Sequence, residues 1–141
     1  MLEYKPVSYK DINRLISIIE VDKNIDRYSI DRIAESIANI LDSKILDVKV
    51  FYFPSKDGKF KDFTYVAVLS SSHIVISSYS SDERLYLDID VAWCSNKTVS
   101  CKEITKLIKE ILGNNIKRII TIKTYDYLGN IIYSCDDGFL N

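Results

Sequence analysis

The chain has one histidine, no glutamine, two prolines and four glycines among 141 residues. A single imidazole, with three cysteines and no C-x-x-C pair, argues against a zinc site. No sign of charge dominates either: 19 basic residues face 20 acidic ones, the net charge is −1, and no basic block stands out. Binding to a phosphate backbone relies on clustered Lys and Arg, so nucleic acid is not the expected partner. No run approaches eighteen apolar residues, so no membrane span is expected, and "MLEYKPVSYK" lacks the apolar core of a secretory leader. The expected location is the cytoplasm. There Cys94, Cys101 and Cys135, odd in number, are expected to be free thiols.

What is present is an ordinary globular composition, 47% hydrophobic and 28% charged. A chain of this length is expected to form one domain, 1–141, and to bury about 68–70% of its unfolded surface. No repeat, low-complexity tract or linker divides it. "RLISIIEV" (Arg14 to Val21) reads as a first strand ended by the polar run "DKNID". Ile30, Ile33, Ala34, Ile37, Ala38 and Leu41 then recur on one helical face, with Ser29 as the expected N-cap. "ILDVKVFYF" (Ile45 to Phe53) is a strand, and Pro54, Asp57 and Gly58 supply a turn. Strands follow at Phe63 to Ser70 and His73 to Ser78. "LYLDIDVAWC" alternates strictly, placing Leu85, Leu87, Ile89, Val91 and Trp93 on one face and Tyr86, Asp88, Asp90, Ala92 and Cys94 on the other. A second helix opens at the capping-box pair Ser100 and Glu103 and stops at Gly113. A final hairpin turns near Gly129 and Asn130. This order predicts an α+β fold, a two-layer sandwich with an antiparallel-rich β-sheet and helices packed on one face.

The stretch "VLSSSHIVISSYSS" (68–81) concentrates hydroxyls around the only histidine. Ser70, Ser72 or His73, Ser77 or Ser78, Asp88, Asp90 and Cys94 are the residues that neighbouring strands could bring to one surface, and a one-residue slip would flip each strand's choice. Plainer readings stand beside this one. Ser70 to Ser72 suit a turn, His73 suits a satisfied strand histidine, and Cys94 suits a small buried hydrophobe. Asp88 and Asp90 suit a solvated strand face, and a D-x-D pair alone is weak support for a metal.

"SSSHIVISSY" followed by "LDIDVAWC" resembles the bacterial and archaeal S-adenosylmethionine decarboxylases, whose motif is roughly S-E-S-H-L-[ST]-[IV]-H-T-W-P-E and then D-[VL]-F-T-C. The order of strands and helices agrees over about residues 12 to 125. The resemblance implies the decarboxylase fold and a role in spermidine synthesis, through a pyruvoyl cofactor made from the chain itself. In that family a serine hydroxyl attacks the preceding carbonyl, the resulting ester eliminates, and the new carbonyl withdraws electrons as carbon dioxide leaves. Carried over, Ser72 is the pyruvoyl precursor, with cleavage between Ser71 and Ser72. Cys94 is the proton donor, and Thr64 and Ser77 occupy the processing positions. Phe53 is the candidate for holding adenine and Glu83, beside Asp82, for holding ribose.

The departures are specific. Ser71 replaces a glutamate, Tyr79 a tryptophan, and the loop "SSDERL" is about two residues longer. Ser77 stands where the family has the histidine that drives processing, and a neutral hydroxyl is no substitute for a base that titrates near pH 6.5. The resemblance thus implies a member defective in self-processing, a non-catalytic or regulatory homologue. Its partners would be an S-adenosylmethionine-like small molecule and a second copy or an active paralogue, as homodimer or heterodimer. The alternatives are an active decarboxylase of S-adenosylmethionine or arginine, and an unrelated α+β interaction module.

Overall fold

The computed structural model describes residues 7–56, 58 and 61–136. Asp57, one of the residues expected in the turn after Pro54, lies outside them. Seven strands form one antiparallel sheet: β1 (Ile12–Val21), β2 (Ile45–Pro54), β3 (Lys61–Leu69), β4 (Ser72–Ser81), β5 (Arg84–Cys94), β6 (Ile116–Tyr125) and β7 (Ile131–Asp136), in the order β2-β3-β4-β5-β1-β6-β7. Two helices, α1 (Arg27–Ile40) and α2 (Cys101–Leu112), cover one face. This is the α+β two-layer arrangement that the alternating patterns predict.

The core lies between helices and sheet. Leu87, Ile89, Val91 and Trp93 of β5 are buried there with Ile74 and Ile76 of β4 and Leu15 and Ile19 of β1. Against them α1 sets Ile30, Ile33, Ala34, Ile37 and Ala38, the stripe its periodicity predicts. The capping box of α2 forms as expected, since the Ser100 hydroxyl accepts from the Glu103 N–H while the Glu103 carboxylate accepts from the Ser100 N–H. Gly113 then ends that helix at a φ of +52°, a conformation glycine adopts without penalty.

Three expectations are corrected. The N-cap of α1 is Asp26 and not Ser29: the Asp26 carboxylate accepts the Ser29 N–H at 2.9 Å, so the helix begins about one turn earlier. That bond, given by Ser29 and sited at the positive end of the helix, holds the Asp26 carboxyl below the usual range. "SSDERL" is also not a loop. β4 runs through Ser81, β5 starts at Arg84, and Asp82 and Glu83, both at positive φ, make a two-residue hairpin turn.

The third correction concerns the cysteines. Cys101, at the start of α2, and Cys135, in β7, are joined by a disulfide with their Cα atoms 6.0 Å apart, leaving Cys94 as the free thiol. The pair is 34 residues apart in sequence and meets only because β7 closes the sheet edge beneath α2. Constraining a loop of that length stabilises a fold by about 3–4 kcal/mol in the chain-entropy picture. Cys135→Ser is therefore expected to lower the unfolding free energy measured in urea by about that much, and a reductant should bring the midpoint of the unmodified chain down to that of the variant. An unmodified chain whose midpoint ignores reductant would show that the pair is not closed in solution.

Candidate functional site

Because β4 pairs on both sides, its alternation decides what reaches the sheet face that no helix covers. Ser72, Ile74, Ile76 and Ser78 lie opposite Trp93, Val91, Ile89 and Leu87, on the helix side. His73, Val75 and Ser77 lie opposite Ala92, Asp90 and Asp88, on the open side. Of the residues considered for one surface, the open face thus takes His73, Ser77, Asp88, Asp90 and Cys94.

Two groups form at opposite ends of β4, the first around Ser72, whose own side chain starts from the helix side of the strand while His73 and Cys94 start from the open side. At the first, Ser72 begins β4 with its Oγ 3.1 Å from His73 Nδ1. The Cys94 N–H donates to the Ser71 carbonyl at 3.2 Å. The Ser71 N–H and hydroxyl both donate to the Ser43 Oγ, at 3.2 and 2.9 Å, and Ser43 also shares a hydrogen bond with Ser70 Oγ. Sequence reading missed Ser43, since a lone serine after a helix carries no signal until the turn between β3 and β4 folds onto it. Cys94 is fixed by its neighbours: Ile12 is its register partner, and the Ser95 N–H donates to the Asp11 carbonyl at 3.0 Å. Trp93 Nε1 donates to the Lys97 carbonyl, so the chain after β5 is tied down as well.

The second group holds Thr64 and Ser77, register partners whose hydroxyl oxygens are 3.3 Å apart, with Asp88 next in the same row. Phe53 falls on this face by alternation with Phe51, the partner of Thr64, and Glu83 sits in the turn at this end of β4. Five residues separate Ser72 from Ser77 along a straight strand, roughly 16 Å at the usual rise. Within one chain, then, Thr64, Ser77, Phe53 and Glu83 are not brought to Ser72, His73 and Cys94. Among the described residues no cluster of His, Cys, Asp and Glu suited to a metal occurs, and no helix is long and apolar enough to cross a membrane.

Asp88 is half-buried on this face. Burial, reinforced by the neighbouring charge of Asp90, raises its carboxyl above the usual range. A carboxyl raised in the folded state costs stability in its ionised form, and the cost disappears as pH falls through the raised value. Asp88→Asn is therefore expected to raise the melting temperature at pH 7, with the gain gone below about pH 4, where the carboxyl is protonated in folded and unfolded chain alike. Melting curves of both proteins across that range check the sign.

The sequence model of the family described as S-adenosylmethionine decarboxylase matches residues 14–124, from the third residue of β1 to the last but one of β6. This overturns the alternative of an unrelated interaction module. No curated protein matches the chain. A match over most of the length, on a seven-stranded antiparallel sheet backed by two helices, leaves one conclusion: the chain belongs to the S-adenosylmethionine decarboxylase family.

Proposed function

We propose that this chain is a member of the family that does not convert itself to the pyruvoyl form, and that it acts as a ligand-binding or regulatory partner of an active paralogue. The observation that carries this is the pair Thr64 and Ser77, two hydroxyls that satisfy each other at 3.3 Å where the family's motif has an imidazole. Neither hydroxyl takes up a proton near neutral pH.

Chemistry at the Ser72 end is otherwise provided for. The Ser72 hydroxyl is a nucleophile next to the Ser71 carbonyl, His73 Nδ1 is within reach of its proton, and the Cys94 N–H points at the oxygen on which negative charge would collect. These residues fit the formation of a pyruvoyl group, which when present supplies the electron-withdrawing carbonyl that decarboxylation needs. What they lack is a base for the Ser72 α-proton, the step assigned by resemblance to the position of Ser77.

The separation of the two groups supports a composite site. Family members oligomerise, and two copies packed through their open faces about a two-fold axis would bring the Thr64, Ser77, Phe53 and Glu83 end of one to the Ser72, His73 and Cys94 end of the other. In a heterodimer, this chain would then decide whether its partner's serine meets a base. An S-adenosylmethionine-like ligand would lie between Phe53 and Glu83 of one copy and Cys94 of the other.

The Ser72–His73 contact favours a second reading, in which His73 alone drives slow cleavage and the chain is a decarboxylase of S-adenosylmethionine or arginine. Intact-mass measurement separates the two. The expected result is one species of 16.3 kDa, unchanged by hydroxylamine, which cleaves esters. Two fragments meeting between Ser71 and Ser72 would establish the second reading instead. Ser77→His is expected to start cleavage, and a chain carrying both Ser72→Ala and Ser77→His, co-expressed with the unmodified chain, should cut the latter if the site is shared between copies.

A further inference from the structure

A separate cavity of about 300 Å³ opens on the helix side of the sheet, at the end of β4 away from Ser72. Its mouth carries Lys23, Arg27, Lys61 and Arg84 against one acidic lining residue, Asp26. The carboxylate of Asp26 is already committed to the Ser29 N–H as the cap of α1. Its walls are the rings of Tyr52 and Phe63 with Val50, Ile25 and Leu85.

The floor is built from Ser78 and Ser80. Both hydroxyls donate to the Asp62 Oδ1 at 2.9 Å, and the Ser80 N–H donates to Oδ2 at 3.2 Å. The buried Ser78 oxygen also accepts the Phe63 N–H at 3.0 Å. Asp62 is thus a buried carboxylate spent on holding the floor, with three donors of its own. The basic residues are partly oriented too: Arg27 Nε binds Asp31 at 3.1 Å and its guanidinium lies 5.2 Å from the centre of the Tyr65 ring, while Lys61 Nζ stands 4.8 Å from that of Tyr52. Arg84, at the start of β5, completes the basic rim.

Cations at the mouth with two aromatic rings and aliphatic side chains along the walls describe a receptor for a compact anion attached to a flat, apolar body. Two guanidiniums and two ammoniums, beside the amino end of α1, suit a doubly charged phosphate better than a single carboxylate. We propose that this cavity binds an organic phosphate, with the phosphate among Arg27, Lys61 and Arg84 and a planar group against the neighbouring side chains of Tyr52 and Phe63. Ser72, His73, Ser77 and Cys94 do not line it, so it stands whether or not the chain cleaves itself.

Titration calorimetry and amide chemical-shift mapping with adenosine monophosphate, adenosine and inorganic phosphate test it. Adenosine monophosphate is expected to bind at least tenfold more tightly than either other probe and to shift the amides of residues 25–30 and 78–85. The double variant Lys61→Gln and Arg84→Gln, both exposed positions, should weaken that binding at least tenfold while leaving the melting temperature and the intact-mass pattern unchanged. Tyr52→Leu should weaken adenosine monophosphate and spare inorganic phosphate. The proposal is overturned by adenosine binding as well as its monophosphate, by inorganic phosphate doing so, by full affinity in the double variant, or by no binding of the monophosphate at millimolar concentration.

Discussion

The pairing of β4 between β3 and β5 is the constraint on which both faces of the molecule depend. Ile74 and Ile76 are wholly buried, and the residues between them look the other way. A slip of one residue would expose both isoleucines, at about 1.5–3 kcal/mol each, and drive His73 and Ser77 into an apolar core. Ile89, Val91 and Leu87 on β5 repeat the same demand from the neighbouring strand. Hydrophobic burial on one side therefore dictates which polar groups are presented on the other, and no residue of the open face has to specify its own position.

That division explains how a chemical residue could change without loss of the fold. At position 77 a side chain needs only to fit beside Thr64 and Asp88 and to satisfy its polar atoms. Serine does so through a hydroxyl pair, so no buried donor is stranded. The buried isoleucines and the polar pair His73 and Ser77 come from opposite faces of the same strand. Ser78, one residue on, has the contrasting position: it is fully buried, it bridges Phe63 and Asp62, and its loss would leave a buried carboxylate without one of its donors.

Much of this was legible in the sequence because local rules suffice for it. The strict alternation of "LYLDIDVAWC" names the buried face of β5, the spacing of the isoleucines names that of α1, and the Ser100 and Glu103 pair marks the start of α2. Where two local rules compete, reading fails: Asp26 and Ser29 are both good caps, and only the folded geometry shows that Ser29 donates to Asp26. Non-local facts have no signature at all. The meeting of Cys101 and Cys135 depends on β7 reaching the edge beside α2, and a short motif conceals that Ser72 and Ser77 lie at different ends of a straight strand. Five letters suggest a cluster; an extended backbone turns them into roughly 16 Å.

The open face carries its own argument for what covers it. One row across the sheet runs Val66, Val75, Asp90, Ile16 and Lys123, and the next runs Thr64, Ser77, Asp88, Ile18 and Thr121. Apolar and aromatic groups, Phe51 and Val68 among them, are exposed toward the β2 edge, the acidic pair stands in the middle, and Arg14 and Lys123 lie beyond it. A surface with apolar, acidic and basic bands in sequence is complementary to itself when turned about a two-fold axis close to the acidic band's basic border, where Asp88 and Asp90 of one copy meet Arg14 and Lys123 of the other. The burial that already raises Asp88 in the single chain would deepen in such a pair, so the acidic band would be tolerated there only with basic partners at hand. A two-fold axis at that border runs along the strands and sets like ends together, whereas an axis across the strands exchanges the Ser72 and Ser77 ends but lays one acidic band on the other, so a pair that shares the site has to find its basic partners for Asp88 and Asp90 elsewhere on the face.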